Sequence, residues 1–326
     1  MNDNKKNIIQ SHEEMINRII NHHFKQIPVS IQRISIGICN EVYNVVLSDK
    51  EIIVRLSAEN KFLMGSHDHI PKFKALGIHV PDILAEDFTK LKIPLSYQIQ
   101  SKIEGQDLGN VIENMTDLQL ITLAKEISSI FKKVASIPAS NQFGVIWGGD
   151  YNELSATWTE RMKIWLEESA ERGMKTGVMD SDMLMLTKRL YDKYHSYFDS
   201  IKPITYYGDI CSKNVMIKDG IFSGLVDLDG LTQGDPLEAI GRINLSWYGT
   251  RHGEVYTHAV MDELGLNDND RERKLVLVYS LFNIISWACE NGIQFNQNTI
   301  PIVDKERLIK DKKIITAIVK ELKLKE

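Results

Sequence analysis

Between Val29 and Leu56 the apolar and β-branched residues alternate or run together in three short segments. These are VSIQRISIG, VYNVVLS and EIIVRLS, divided by GICNE and SDK. Alternation of this kind between turn residues predicts an antiparallel meander. From about Met64 to Leu76 the spacing becomes helical, and Pro71 is expected to interrupt the helix or mark a fresh start. IHVPDILAEDF and LSYQIQSKI read as two further strands. After Gly105 the period changes. TDLQLITLAKEISSIFKKVASIP has a Thr cap at Thr116 and helical apolar spacing as far as Pro138. Residues 139–156 read as a loop, and helices follow around 158–172 and 181–197. A loop and hairpin come next. The remainder is mostly helical and ends in an amphipathic stretch over 305–325. The pattern predicts an α+β chain. A small antiparallel-sheet lobe over residues 1–102 is joined near Gln100–Gly105 to a larger, mainly helical lobe over 103–326.

Composition narrows the class. The 326 residues are 43% hydrophobic and 25% charged, an ordinary globular balance. A net charge of -5 does not favour a broad nucleic-acid surface. The start, MNDNKKNIIQSHEEM, lacks the apolar segment of a secretory signal. The longest apolar run begins at Leu275, falls short of the roughly 20 residues of a membrane span and contains Ser280 and Asn283. It reads as a buried core helix, so no membrane partner is expected. Cys39, Cys211 and Cys289 form neither a disulfide framework nor a zinc pattern, which fits a reducing cytoplasm. A monomer or homodimer is expected.

The candidate chemistry lies in YYGDICSKNVMIKDGIFSGLVDLDG, Tyr206 to Gly230. Asp209 sits in a loop. Asn214 enters a strand, KDG turns the chain, and the return strand ends at Asp227. A hairpin sets the ends of its two strands side by side, so Asn214 and Asp227 should be neighbours. An amide oxygen beside a carboxylate suits Mg²⁺, which keeps phosphate and water oxygens as its other ligands. Asp209 would then lie close enough to orient an attacking hydroxyl. The plainer alternative is that all of these are turn and strand-end residues.

In order and spacing, YGDICSKNVMI, GLVDLDG and the later GDP at Gly234–Pro236 resemble the aminoglycoside phosphotransferase and choline kinase-like superfamily. The resemblance implies a two-lobed protein-kinase-like fold and Mg²⁺-dependent transfer of phosphate from ATP, or GTP in its place, to a hydroxyl of a small molecule. It implies that Asp209 is the catalytic Asp and that Asn214 and Asp227 are Mg²⁺ ligands. Asp229 would be a second metal-side carboxylate, and Asp235 a carboxylate bracing the catalytic loop. Tyr207 stands where the family usually has His, in a packing and bracing role. Lys213 is placed either to stabilise transferring charge or as a solvated loop lysine.

The resemblance extends to the first lobe. ISIGICNEVYNVVL matches the hairpin that covers the nucleotide, with Gly37 and Asn40 at its turn. Arg55 stands where a cation grips the α/β-phosphates, usually Lys; a solvent-facing strand Arg is the alternative. Gln100, Ser101 and Lys102 would offer backbone groups to the adenine edge. The helix Glu that normally pairs with the cation is missing, and Glu59 and Asp68 are its candidates. His67, Asp68 and His69 read as surface residues. For the acceptor, Asp262, Glu263, Asp268, Asp270 and Glu290 lie in the corresponding region, with Trp247, Tyr248 and Trp287 as stacking surfaces, although each reads more readily as a solvated or core residue than as a ligand contact. Arg55, Tyr207 and the missing Glu keep one alternative open, a nucleotide-binding pseudokinase-like module on the same fold.

Overall fold

The computed structural model describes residues 3–35, 37, 39–266, 270–296 and 298–324. The meander and the two later strands form one sheet. β1 (Ser30–Ile34), β2 (Glu41–Val46), β3 (Glu51–Ser57), β4 (Ile83–Asp87) and β5 (Ser96–Ser101) pair antiparallel in the order β1-β2-β3-β5-β4. Alternate residues Tyr43, Val45, Ile52, Val54 and Leu56 are fully buried. They meet α1 (Asp3–Phe24), a helix that the charge-rich start of the chain hides. Among the residues of α1 whose burial is described, Ile16, Ile19 and Ile20, at i, i+3 and i+4, are fully buried, with Met15 and Phe24 packed beside them. His12 Nδ1 and His23 Nε2 hydrogen-bond the Tyr43 and Tyr97 hydroxyls, each at 2.8 Å.

α2 (Lys61–Ala75) runs unbroken through Pro71, contrary to expectation. Proline removes the donor for the carbonyl of His67. Both residues lie on the exposed face, where water can take the bond. The inner face carries Ile70 and Phe73 into the core of the larger lobe.

Beyond β5 the chain passes through β6 (Gln106–Asp107), α3 (Leu108–Val111) and a 3₁₀ turn, Ile112–Asn114, to α4 (Asp117–Val134). Thr116 caps α4 in a full capping box with Gln119. The segment read as a loop contains two strands, β7 (Phe143–Ile146) and β8 (Glu153–Ser155). They join β9 (Ile204–Tyr206) and β12 (Leu231–Gly234) in the order β8-β7-β12-β9. Strands of three and four residues are too short to show alternation in sequence. Between them in the chain lie α5 (Trp158–Thr176), α6 (Ser181–Asp199) and the hairpin β10 (Val215–Lys218)–β11 (Ile221–Leu225). α7 (Leu237–Ser246), α8 (Arg251–Glu263), α9 (Asp270–Ala288) and α10 (Lys305–Glu321) complete the lobe.

The predicted core helix is α9, which buries Val278, Tyr279, Leu281, Phe282 and Ile285 among α5, α6 and α10. No helix among the described residues is long and apolar enough to cross a membrane. The architecture is two-lobed α+β, a five-stranded sheet lobe over a mainly helical one.

Candidate active site

The hairpin turns at Asp219 (φ 53) and Gly220 (φ 76), two consecutive left-handed residues of the kind a two-residue hairpin loop requires. Val215 pairs with Leu225, and the Val226 amide donates to the Asn214 carbonyl at 3.0 Å. Asn214 therefore lies beside the chain that leads into Asp227. The strand stops at Leu225 rather than reaching Asp227, and Asp227 turns out of it with φ 61. The buried Tyr207 holds that turn. Its hydroxyl reaches the carbonyls of Val226 and Asp227, each at 3.0 Å, and its ring packs edge-on against Phe73.

The loop folds around the Asn214 amide, whose Nδ2 donates to the Asp209 carbonyl at 2.8 Å and to Asp209 Oδ2 at 2.7 Å. The other carboxylate oxygen accepts from Arg242 Nη1 at 2.7 Å. Arg242, on α7, also faces Glu238 one turn earlier at 3.6 Å. The sequence reading misses both residues. The available signal was an i,i+4 Glu–Arg pair just after GDP. Asp209 keeps 35% of its side chain open to the cavity. Burial opposes the charge on Lys213, but the Asp209 and Asp227 carboxylates outweigh it, so the ammonium is held above its ordinary range.

Asp235 does not brace the catalytic loop, as expected of it. Its carboxylate accepts from the Tyr197 and Tyr279 hydroxyls, the latter at 2.7 Å, and from the Leu237 amide at 3.1 Å. It thus ties the start of α7 to α6 and α9. The loop is braced one turn later by Glu238, which accepts from Tyr206 at 3.2 Å, and by Arg242. Burial pushes the carboxyls of both Asp235 and Glu238 upward.

Arg55 faces inward and is 3% exposed, which removes the solvent-facing alternative. Nη1 donates to Ser66 Oγ and Asp229 Oδ1, both at 2.7 Å. Nη2 donates to Asp227 Oδ1 at 2.9 Å and Asp229 Oδ2 at 2.5 Å. No helix Glu is needed, because the carboxylates come from the strand-end loop itself. Glu59 and Asp68 take no part; Asp68 accepts from the Gly149 amide. The helix supplies Ser66 and, beside it, Gly65. A Cβ on Gly65 would fall 1.6 Å from the Asp229 carbonyl oxygen, so only glycine lets α2 approach this closely.

Asp229, expected at the metal, has both oxygens engaged: Arg55 and Ser66 on one, Arg55 and Asn40 on the other. Asn40, expected at the nucleotide, turns its amide inward to Asp229 at 2.9 Å and to the Phe62 carbonyl at 3.3 Å. Asp227 is different. Its side chain is 37% exposed. Burial, with Asp229 and Asp209 adding to it and Arg55 opposing, pushes its carboxyl upward.

A cavity of about 1280 Å³ between the lobes is lined by Gly37, Asn40, Arg55, Gln100, Ser101, Lys102, Asp209, Lys213, Asn214, Asp227 and Asp229. Gly37 has φ 95, and its carbonyl accepts from the side chains of Asn298 and Asn296, at 2.7 and 3.3 Å, across from the helical lobe. The Ser101 amide is already used by the Asp82 carbonyl at 2.9 Å, and Lys102 turns its ammonium to Glu51 at 2.5 Å.

Asp262 and Glu263 end α8, Asp270 begins α9, and none of the three lines the cavity; Asp268 lies outside the described residues. Glu290 and Trp287 do line it. Trp247 packs on Tyr256, and Tyr248 donates to Glu321 at 2.8 Å. His69, read as a surface residue, is fully buried with Nε2 2.9 Å from the Ile146 carbonyl.

No group of three or more His, Cys, Asp and Glu suited to a metal occurs among the described residues. Mg²⁺ asks less of a protein, often one or two ligands beside phosphate oxygens. The residues present fit that demand. Asn214 Oδ1 carries no protein hydrogen bond among the described residues, and the half-open Asp227 is stabilised by any added positive charge.

A sheet lobe over a helical lobe, with a loop Asp, an Asn and an Asp in the turn just beyond a strand at the cleft between them, defines a kinase-like architecture. A family model described as the phosphotransferase enzyme family matches residues 30–275, three quarters of the sequence, and the chain belongs to that family. No curated protein sequence matches it significantly. Among solved structures, a thermostable mutant of aminoglycoside phosphotransferase APH(4)-Ia, in its apo form, matches with TM-score 0.70 and 14% identity, over 94% of this chain and 98% of that one. The GDP complex of aminoglycoside 2'-phosphotransferase-IIIa matches with TM-score 0.67 and 14% identity, over 93% and 96%. A protein provisionally assigned as fructosamine-3-kinase, from Haemophilus somnus 129PT, matches with TM-score 0.63 and 12% identity, over 93% and 96%. At these identities the likeness is one of fold. The family makes the chain an enzyme, a phosphotransferase.

Proposed function

We propose that the chain transfers the γ-phosphate of ATP, with Mg²⁺, to a hydroxyl of a small molecule. The observation that carries this reading is the setting of Asp209. Asn214 and Arg242, with the Cys211 thiol a weaker third donor at 3.6 Å, fix its carboxylate at the cavity while a third of its side chain stays open. An ionised carboxylate has about four lone-pair sites, one more than these donors use. Asp209 can therefore accept the hydrogen of an incoming hydroxyl and aim its oxygen. Lys213, held charged beside Asp209, faces the position where negative charge is transferred. Asn214 and Asp227 would hold the ion, which supplies charge neutralisation for the phosphates.

Arg55 has a double part in this reading. It fixes Asp227 and Asp229, and the Nη2 hydrogen spent on Asp227 has a phosphate oxygen as its alternative acceptor. Nucleotide complexes of fold neighbours support the first substrate: AMP-PNP with hygromycin B in one APH(4)-Ia structure and GDP in the 2'-phosphotransferase. The test is nucleotide consumption against a panel of alcohols, amino sugars and macrolides, run with and without Mg²⁺. Nucleotide binding with no turnover of any acceptor would instead favour a binding module.

A further inference from the structure

The acceptor half of the cavity presents a guanidinium that has no partner among the described residues. Its walls come from α5, α7, α9 and the start of α10. Arg161, on α5, is half-buried and makes no side-chain hydrogen bond or ion pair among the described residues. It influences Glu153 at a distance, but Glu153 is itself paired with Lys61 at 2.6 Å. Arg307 reaches in from α10, bonded to the Trp287 carbonyl at 2.7 Å and only loosely facing Asp311 at 3.7 Å. Arg242 is already committed to Asp209. Against these stand Glu238, which faces Arg242 and accepts from Tyr206, and Glu290, which makes no side-chain hydrogen bond or ion pair among the described residues. Burial raises its pKa, and Arg172, Arg307, Arg242 and Lys213 oppose that shift. Arg161, Arg242 and Arg307 stand against Asp209, Glu238 and Glu290, so the wall is balanced overall, and its guanidinium without a partner among the described residues is Arg161.

The remaining surface is aromatic. Trp165 is held in one orientation by its Nε1 bond to Ser286 at 3.1 Å, and Trp287 lies under the Arg242 guanidinium at 5.9 Å. Both indoles line the cavity. Flat indole walls take apolar rings, and an unpaired, half-buried guanidinium takes a carboxylate-type anion. An ammonium group placed at Arg161 would meet a like charge with no carboxylate paired to it.

We infer that the acceptor is an alcohol carrying an anionic group on a flat or apolar ring, with Arg161 as the residue that selects for the anion. This rests on the phosphotransfer reading above for the fate of the hydroxyl, but not for the binding of the anion.

The test uses the full chain and three matched probes, 4-(hydroxymethyl)benzoate, benzyl alcohol and 4-(aminomethyl)benzyl alcohol, with ATP and Mg²⁺. ADP release should favour the benzoate over the other two in kcat/KM by about ten- to a hundredfold, the usual worth of a charge-assisted bond. Arg161→Gln should collapse that ratio, and Arg161→Lys should recover part of it. ATP affinity by calorimetry reports whether each variant is folded. A second readout needs no turnover: quenching of tryptophan fluorescence by 4-methylbenzoate against 4-methylbenzylamine. If the benzoate binds more tightly and Arg161→Gln abolishes the difference while no probe is phosphorylated, the anion site stands and the phosphotransfer reading falls. Preference for the amine, equal use and binding of all probes, no detectable binding, or a benzoate preference unchanged in a folded Arg161→Gln would each overturn the inference.

Discussion

At the nucleotide end of the cavity Arg55 divides its Nη donors among Ser66, Asp227 and both oxygens of Asp229, and Asn40 closes the ring of bonds. At the acceptor end Arg161 lies half-buried with no such partner among the described residues. The two guanidiniums differ in what surrounds them. Arg55 and Asp229 are inside a buried network in which each charge is taken from water and matched by a neighbour, so neither can change alone, and only Asp227 keeps an open side toward the cavity. Arg161 still has its donors to offer. A fixed end suits the part of the reaction that does not vary, the nucleotide phosphates. An open end suits recognition of a particular acceptor. The boundary between the two is Asp209, bonded to Asn214 of the first and to Arg242 of the second.

Breaking that boundary should have the largest effect. Asp209→Asn keeps the shape but loses the acceptor for a hydroxyl proton. Turnover should fall by about 10²–10⁴-fold, the usual worth of a positioned acid–base group. ATP affinity by calorimetry should be nearly unchanged. Full activity in this variant would remove Asp209 from the reaction.

The comparison itself is tested by removing each guanidinium. Arg55→Ala leaves Asp229 buried with an uncompensated charge and should cost about 3–5 kcal/mol of folding stability. Arg161→Gln should stay within about 0.5 kcal/mol, as a substitution outside any closed network. Urea unfolding of both proteins gives the contrast directly. Equal, small losses would mean that the Arg55 network is no more closed than the acceptor wall.

This contrast also explains what could be read in the sequence. The catalytic hairpin was legible because its signals are local: KDG fixes the turn, and the turn fixes Asn214 beside the chain leading to Asp227. The partners of Arg55 were not legible. Ser66 and Asp229 lie 11 and 174 positions away, and Ser66 belongs to a residue type with many ordinary uses. Asp235 was found but given the wrong neighbours, since which helix a buried carboxylate meets depends on packing. β7 and β8 were lost to their shortness, and α1 to a stripe of three isoleucines in a charged segment. Asp262, Glu263 and Asp270, close in sequence, fall at helix ends that do not line the cavity, while Glu290 does line it, a difference set by packing.

A smaller effect is expected at Tyr207, which links the catalytic loop to the turn carrying Asp227. Tyr207→Phe removes one hydroxyl shared by two carbonyls and should cost about 1 kcal/mol of stability. Because those carbonyls hold the Asp227 turn, the apparent Mg²⁺ requirement for nucleotide binding should rise as well. A stability loss with no change in Mg²⁺ titration would confine Tyr207 to packing.

The mildest test lies far from both ends, where α1 covers the sheet that carries Arg55. Burial lowers the pKa of His12, which also faces Glu41 and Arg33 with opposing effects. Burial lowers that of His23 too, with His22, Lys92 and Lys25 adding to the shift and Asp87 opposing it. Each ring bonds a tyrosine hydroxyl while neutral. A histidine whose folded pKa is depressed costs nothing above its unfolded value near 6.5. As the pH falls below that value the unfolded chain takes up the proton first, and stability declines. Both rings act on the same docked helix, so acid should loosen α1 before it disturbs the catalytic loop. Amide exchange, corrected for its intrinsic pH dependence, should show reduced protection of α1 at pH 5.5 relative to pH 7.5, with α4 unchanged. The double variant His12→Gln, His23→Gln should lose the difference between the two pH values. If α1 is equally protected at both, or if the double variant responds to acid as the wild type does, the two histidines do not control its docking.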